Sequence, residues 1–121
     1  MSKYHSRRVR LGSETFDSRK EARRWKELLL LQKAGKIADL RRQVKFVLIP
    51  AQRGPDTTGP RGGKKPGPLL EHECAYIADY VYVDTATGKT VVEDVKGYRT
   101  ADYIIKRKLL LERYGIQIKE T

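Results

Sequence analysis

Two apolar segments joined by a short polar loop constrain the fold of this chain more than any other feature of its sequence. Glu73 to Val83 and Thr90 to Lys96 are each predicted to be a strand, and residues 84–89 connect them with a glycine late in the loop. If Asp84 pairs with Lys89, every residue of the first strand has a defined partner on the second. The sequence therefore predicts an antiparallel hairpin of fixed register.

This register places two acids opposite each other on one face of the hairpin. Asp79 faces Asp94, and Lys96 lies on the same face because side chains alternate along a strand. Opposed residues have Cβ atoms about 5 Å apart, where like charges destabilise a sheet. Apolar neighbours indicate that the hairpin is central in the sheet rather than exposed. These neighbours are Ile77, Val81, Val92 and Val95.

A divalent cation between the two carboxylates is the simplest explanation of this pairing. Oxygen ligands so close together favour Mg²⁺, with Mn²⁺ as an alternative, and Mg²⁺ is typically held by one or two carboxylates. Lys96 beside the cation could orient or deprotonate a water molecule, or stabilise the charge of a phosphate. The alternative is a surface hairpin on which Asp79 is solvated and Asp94 forms an ion pair with Lys96.

The charge of the chain indicates a polyanionic partner. Lys and Arg total 26 against 15 Asp and Glu, so the formal net charge is +11 at pH 7. Such an excess in a small domain is typical of proteins that bind nucleic acid, because phosphate contacts supply most of the binding free energy. An anionic membrane surface, or a gain in solubility, is the alternative.

The composition argues against several other classes of protein. The single cysteine, Cys74, excludes an internal disulfide, and together with His5 and His72 it offers too few ligands for the usual Cys/His zinc site within one chain. The longest apolar run is Leu28 to Leu31, too short to span a membrane. The basic first residues have no apolar stretch behind them, unlike a secretory signal. We therefore expect a cytoplasmic protein with no membrane partner.

Helix signals occur at two places in the chain. Ser18 is a good N-cap, and Glu21 three residues later completes a capping-box pattern, so a first helix is expected to run from there to Ala34 and to be stopped by Gly35. Thr100 is expected to cap a second helix that runs to about Tyr114.

Two further strands complete an α/β domain that covers residues 1–121. They are expected at Leu40 to Ile49 and at Ile116 to Lys119, which gives the order αβββαβ with helices flanking a mixed central sheet. Residues 1–12 are predicted to form a basic N-terminal arm with a short edge strand. Residues 53–70, rich in Gly, Pro and Lys, are predicted to form a flexible loop that cannot bury a face.

The acids and the lysine of the predicted hairpin resemble the signature of the PD-(D/E)XK nuclease superfamily. Asp79 followed by Asp94-Val95-Lys96 on the next strand is similar to its D…(D/E)xK motif, with Ala78 in place of the proline, a departure that many members share. The predicted element order is also similar to the superfamily's core. Three segments look especially like small phage-encoded members, and the likeness covers most of the chain. They are Phe16-Asp17-Ser18 with Glu21-Ala22, Tyr76-Ile77-Ala78-Asp79, and Val92-Glu93-Asp94-Val95-Lys96-Gly97.

The resemblance implies a restriction-endonuclease-like fold and metal-dependent cleavage of DNA. Members of the group that includes Holliday junction resolvases carry an additional acid on the first helix, a role that falls here to Glu21. The capping box accounts for Glu21 equally well, whereas Glu93 points to the opposite face and is expected to be structural or on the surface. The expected catalytic residues are Glu21, Asp79, Asp94 and Lys96. The expected metal ligands are Asp79, Asp94, the Val95 carbonyl and Glu21.

Basic residues outside the acidic site are expected to contact the DNA backbone. In the N-terminal arm these are Arg7, Arg8 and Arg10, for which a frayed terminus is the alternative. For the second helix, a solvated basic face is the alternative. The remaining candidates on or near the helices are Arg23, Arg99, Lys106 and Lys108.

The sequence as a whole predicts an Mg²⁺-dependent DNA endonuclease. Nothing in it is expected to read bases, and a chain this small lacks a separate target-recognition domain, so a structure-selective substrate is favoured. The resemblance points to the four-way Holliday junction, whose symmetric cutting would require a homodimer. A restriction-like or transposase-type nuclease on linear duplex and a non-catalytic DNA-binding module are the alternatives. If the likeness to phage members extends to origin, the protein acts in the bacterial host cytoplasm.

Overall fold

The computed structural model describes residues 8–96 and 98–121, and in this part the chain is mixed α/β with two helices. Leaving aside short strands before the first helix and between the two longest strands, the elements follow the predicted order αβββαβ. Neither helix of the described part is long and apolar enough to cross a membrane. The elements are β1 (Val9–Leu11), β2 (Glu14–Phe16), α1 (Arg19–Lys33), β3 (Ile37–Ile49), β4 (Gln52–Arg53), β5 (Thr57–Thr58), β6 (Lys64–Lys65), β7 (Leu69–Glu71), β8 (Cys74–Asp84), β9 (Thr90–Asp94), α2 (Ala101–Tyr114) and β10 (Lys119–Glu120).

The largest sheet has four strands in the order β10-β9-β8-β3. β8 and β9 pair antiparallel, with Val81 opposite Val92 and Tyr80 opposite Glu93, whereas β9 and β10 pair in parallel. The backbone N–H of Asp84 donates to the carbonyl of Lys89 at 2.9 Å. The sheet is therefore mixed, and the predicted register of the hairpin is confirmed.

The chain divides into two compact units. The first extends through Val44 and adds Ala78–Arg99 and Ile118–Thr121, and the second comprises Lys45–Ile77 and Thr100–Gln117. β3 and β8 contribute residues to both units. Every acid of the predicted site falls within the first unit.

Helix α1 supplies much of the core of the first unit. It begins as predicted after Ser18, whose Oγ accepts a hydrogen bond from the backbone N–H of Glu21 at 3.1 Å. Leu28 packs with Tyr80 and Tyr82 of β8, and the ring of Trp25 stacks on Tyr80 with centroids 5.7 Å apart. Tyr80 and Tyr82 are therefore core residues of this unit.

The second unit holds α2 and an aromatic cluster. Thr100 caps the helix by accepting from the backbone N–H of Tyr103, and Gly115 ends it with a φ of 67°, a left-handed conformation that glycine adopts without strain. The ring of Phe46 packs against Tyr76 and Tyr114, with centroids 6.5 and 5.9 Å apart. The helix bounds agree with the sequence prediction because both caps are local signals.

Two segments differ from their predictions. The described end of the N-terminal arm is not a single edge strand, because β1 pairs with β2 to form a hairpin. Residues 53–70 were expected to form a flexible loop, but β4 pairs with β7 and β5 with β6. These short ladders bury no apolar face, because every residue of this segment other than glycine is exposed.

Candidate active site

Asp79 and Asp94 lie where the β8–β9 ladder ends. Tyr80 and Glu93 form the last pair of the ladder, so the two acids are the next residues in register. The backbone N–H of Val95 donates to Asp79 Oδ2 at 2.8 Å, which fixes this carboxylate against the end of β9. Asp94 is only 4% exposed. The hairpin thus brings the two predicted acids together, one of them deeply buried.

Lys96 shares the site with the acids. Its Nζ lies 2.9 Å from Asp94 Oδ1, and its side chain is 20% exposed. The backbone of this segment is held on its other side by Thr121, whose N–H donates to the Asp94 carbonyl and whose carbonyl accepts from the Lys96 N–H. A cationic side chain is therefore fixed beside the buried carboxylate.

The surroundings of the hairpin differ in part from the sequence prediction. Val81 and Val92 are buried, and Val95 packs on the core cluster of the first unit. Ile77 was expected to be buried as well but is 53% exposed. The ion pair of the surface-hairpin alternative is present, yet Asp94 itself is buried, so a solvated surface hairpin does not describe this site.

Glu21 occupies the first turn of α1 and is 6% exposed. Its Oε1 is buried, and no group of the described residues forms a hydrogen bond with it. The hydroxyl of Tyr80 donates to the Glu21 carbonyl at 2.7 Å, which ties the start of α1 to β8. Ser18 is confirmed as the N-cap of the predicted capping box. Its hydroxyl bonds the backbone N–H of Glu21, so this contact leaves the Oε1 of the Glu21 carboxylate for another role.

The charges of the three acids repel one another. Burial, and then the negative charge of Asp94, raise the pKa of Asp79 to about 8, and Glu21 adds to this effect. Burial and the charge of Asp17 raise the pKa of Glu21. Carboxyl groups that resist ionisation in this way are common at functional sites.

A family model described as a protein of unknown function, DUF1064, matches residues 1–121. The chain belongs to the DUF1064 family. No curated protein and no solved structure matches it.

Arg42 of this DUF1064 protein is a site residue that the sequence analysis missed. It lies on β3 with its guanidinium 4.0 Å from the ring centre of Phe16, and it pairs with Glu14. Its Nη2 is 3.7 Å from Glu21 Oε1. The next residue, Gln43, has a φ of 52°, a conformation that is uncommon for residues other than glycine. The signal in the sequence was the polar run Arg41-Arg42-Gln43, which interrupts the apolar alternation of the strand.

Glu93 lies on the opposite face of β9 from Asp94, as predicted, but it is completely buried and not a surface residue. It accepts two hydrogen bonds from Arg24, at 2.7 and 2.9 Å, and one from the Tyr82 hydroxyl at 2.7 Å. The structural interpretation of Glu93 is therefore correct. The ion pair with Arg24 holds α1 against the strand that carries Asp94.

The predicted DNA-contacting residues are dispersed over the chain. Arg8, Arg10 and Arg23 are exposed, and Arg7 lies outside the described residues. Arg99 is exposed and forms an ion pair with Glu120 at 3.1 Å. On α2, Lys108 is exposed and Lys106 is half-buried. Their contacts with DNA stay a prediction.

The donor atoms present fit a hard divalent cation. Carboxylate oxygens are the ligands that Mg²⁺ prefers, and it needs only one or two of them because it retains several waters. Asp79 and Asp94 supply such oxygens, and Glu21 Oε1, which accepts no hydrogen bond from the described residues, is of the same type. Within residues 8–96 and 98–121, no three His, Cys, Asp or Glu side chains form a group that could hold a metal ion by themselves. Val95 contacts Asp79 through its N–H, and its carbonyl stays a predicted ligand.

The raised pKa of Asp79 predicts that the metal-free protein loses stability as the pH rises. Folded Asp79 holds its proton up to about pH 8, whereas an unfolded Asp ionises near pH 4. Its stabilising contribution is therefore complete below about pH 4 and is lost as the pH rises through 8. Urea unfolding in EDTA between pH 5 and 9 should show a falling free energy of unfolding that Asp79→Asn flattens. An unchanged slope in this variant would contradict the assignment.

Proposed function

We propose that this DUF1064 protein is a metal-dependent DNA endonuclease with a restriction-endonuclease-like core. The observation that carries the proposal is the placement of Asp79, Asp94 and Lys96 at one end of the β8–β9 hairpin, with Lys96 Nζ 2.9 Å from Asp94 Oδ1. The order αβββαβ and the spacing of the D…DxK motif support it. The charge of +11 supports a nucleic acid as the substrate.

The proposed cofactor is Mg²⁺, with Mn²⁺ as an alternative. Asp79 and Asp94 would hold it, together with Glu21 and the Val95 carbonyl. When bound, such a cation polarises a phosphate and lowers the pKa of a coordinated water molecule. Burial and the negative charge of Asp94 raise the pKa of Asp79, and a cation would relieve the repulsion between the two carboxylates, which supports this assignment.

The chain's own residues have separate parts in this proposal. Lys96 donates from its ammonium group to a phosphate oxygen, and its ion pair with Asp94 holds the ammonium in position for this contact. The Val95 N–H orients the carboxylate of Asp79. Arg42 lies beside Glu21 and balances part of its charge, so we assign it a positioning role.

The proposed substrate is branched DNA, with the four-way junction as the first candidate. The chain offers basic side chains for the backbone, and nothing in its sequence is expected to read base edges, so recognition by shape is favoured. Symmetric cutting of a junction requires two active sites, and we therefore propose a homodimer. The single cysteine of the chain fits the reducing environment of the cytoplasm, which is the proposed location. If the protein is phage-encoded, this is the cytoplasm of the bacterial host.

Cleavage of labelled DNAs by the wild-type protein tests this proposal. Four-way, flap and linear duplex DNAs of equal length are incubated with Mg²⁺ or with EDTA, and products are resolved on denaturing gels. We expect Mg²⁺-dependent cuts that are fastest on the four-way junction, and a dimer by sedimentation. Equal or faster cleavage of linear duplex would favour the restriction-like alternative. Tight, salt-sensitive binding without any cutting would leave only a DNA-binding module.

A further inference from the structure

A basic hairpin in the second unit has no part in the proposed active site. It consists of β5 and β6 with their connecting turn, residues 57–65, and we call it the tip hairpin. Thr57 pairs with Lys65 and Thr58 with Lys64. The turn is closed by backbone hydrogen bonds between Gly59 and Gly63 at 2.7 Å and between Gly62 and Gly59 at 3.0 Å. The tip hairpin is therefore a defined element and not an irregular loop.

The base of the tip hairpin is also defined. β4 and β7 pair antiparallel beneath it, and the Gly54 N–H donates to the Pro68 carbonyl at 2.9 Å. The guanidinium of Arg53 donates to the Gly67 carbonyl at 3.1 Å. A Cβ at Gly67 would lie 2.1 Å from the Gly54 carbonyl oxygen, so only glycine permits these two backbone segments to approach this closely.

The tip hairpin concentrates positive charge that is not neutralised. Arg61, Lys64 and Lys65 are exposed, and no carboxylate of the described residues forms an ion pair with them. Asp56 is the only acid in residues 53–70. The three cations line a shallow concavity together with Gly59, Pro60, Gly63 and Pro66.

Core packing does not explain this element, because every side chain of residues 57–65 is exposed. We propose that the tip hairpin is a second nucleic-acid contact, in which Arg61, Lys64 and Lys65 bind phosphates of the DNA backbone. Glycines allow a backbone to approach closely, and the concavity between the cations carries no acid. A membrane surface is less favoured, because the tip offers no large apolar side chain for insertion, although Leu70 at the base is exposed.

The test measures binding in EDTA, so that it does not depend on cleavage. The triple variant Arg61→Gln/Lys64→Gln/Lys65→Gln is compared with the wild type in a salt titration of duplex and four-way DNA. Each lost phosphate contact reduces the slope of log K against log salt by about 1, so a reduction of about 3 is expected, with at least about a tenfold loss of affinity near 0.1 M salt. Thermal unfolding should be unchanged because the three side chains are exposed.

A matched control removes the same charge elsewhere. Lys26→Gln/Lys33→Gln/Lys36→Gln replaces three exposed lysines on or just after α1 and should change the slope by less than half as much. Equal effects of the two triple variants, or wild-type binding by the tip variant, would overturn the proposal. If the tip variant loses binding to phosphatidylserine vesicles but retains wild-type binding to DNA, the proposal is overturned in favour of a membrane contact. If the wild type binds DNA through the tip hairpin but cleaves none of the DNAs, only the endonuclease proposal is overturned.

Discussion

Asp94→Asn is expected to reduce Mg²⁺-dependent DNA cleavage by about a thousandfold or more. The carboxylate is buried beside Asp79 and Lys96, where the proposal places the cation. Metal-ion catalysis supplies several kcal/mol of charge stabilisation in the transition state, and each 1.36 kcal/mol corresponds to a factor of ten. Single-turnover cleavage of the preferred DNA measures this loss.

The fold should survive the Asp94→Asn substitution. Removing one of two repelling carboxylates offsets the loss of the ion pair with Lys96, so the melting temperature is expected to stay near that of the wild type and lost activity would not reflect unfolding. Asp39→Asn is the matched control, because Asp39 is exposed and Asn tolerates its φ of 54°. Cleavage by Asp94→Asn at the wild-type rate would remove the site assignment.

Glu93→Ala is expected to cause the largest loss of stability of any single substitution considered. It leaves the guanidinium of Arg24 and the Tyr82 hydroxyl without their buried acceptor. Breaking a buried ion pair by removing one partner costs about 3 to 5 kcal/mol. For a chain of this size, the melting temperature should fall by about 10 °C or more, as measured by circular dichroism.

Glu27→Ala provides the control for Glu93→Ala, because Glu27 pairs with the same Arg24 at 2.9 Å but is half exposed. Exposed ion pairs contribute about 0 to 1 kcal/mol, so a small change is expected. If Glu93→Ala does not fold, the double variant Arg24→Met/Glu93→Met should recover much of the stability, since no charge is then buried alone. Equal stability of Glu93→Ala and Glu27→Ala would contradict the role of this ion pair.

The parts of the fold that depend on local chemistry were predictable from the sequence. Ser18 and Thr100 cap their helices, and Gly115 ends α2, because each needs only its near neighbours in the chain. The hairpin register was also predictable, since the short loop between Asp84 and Lys89 sets every later pair, including that of Asp79 and Asp94.

Contacts between distant parts of the chain could not be predicted in the same way. Glu93 meets Arg24, which is 69 positions away, and Arg42 meets Glu14 at a separation of 28 positions. Alternation along β9 gave the direction of Glu93 but not what lies beneath it. The pairing of β4 with β7 was missed for a different reason. The segment that contains them is rich in Gly and Pro and carries no apolar period from which strands could be predicted.

Binding of Mn²⁺ in the absence of DNA tests the metal site most directly, because it requires neither substrate nor turnover. Free Mn²⁺ is quantified by electron paramagnetic resonance during titration of the wild type, Asp79→Asn and Asp94→Asn, with Asp39→Asn as the control. We predict saturable binding to the wild type and the control that each site variant weakens at least about tenfold. No saturable binding to the wild type, or equal binding to all four proteins, would contradict the metal site and with it the proposed hydrolysis.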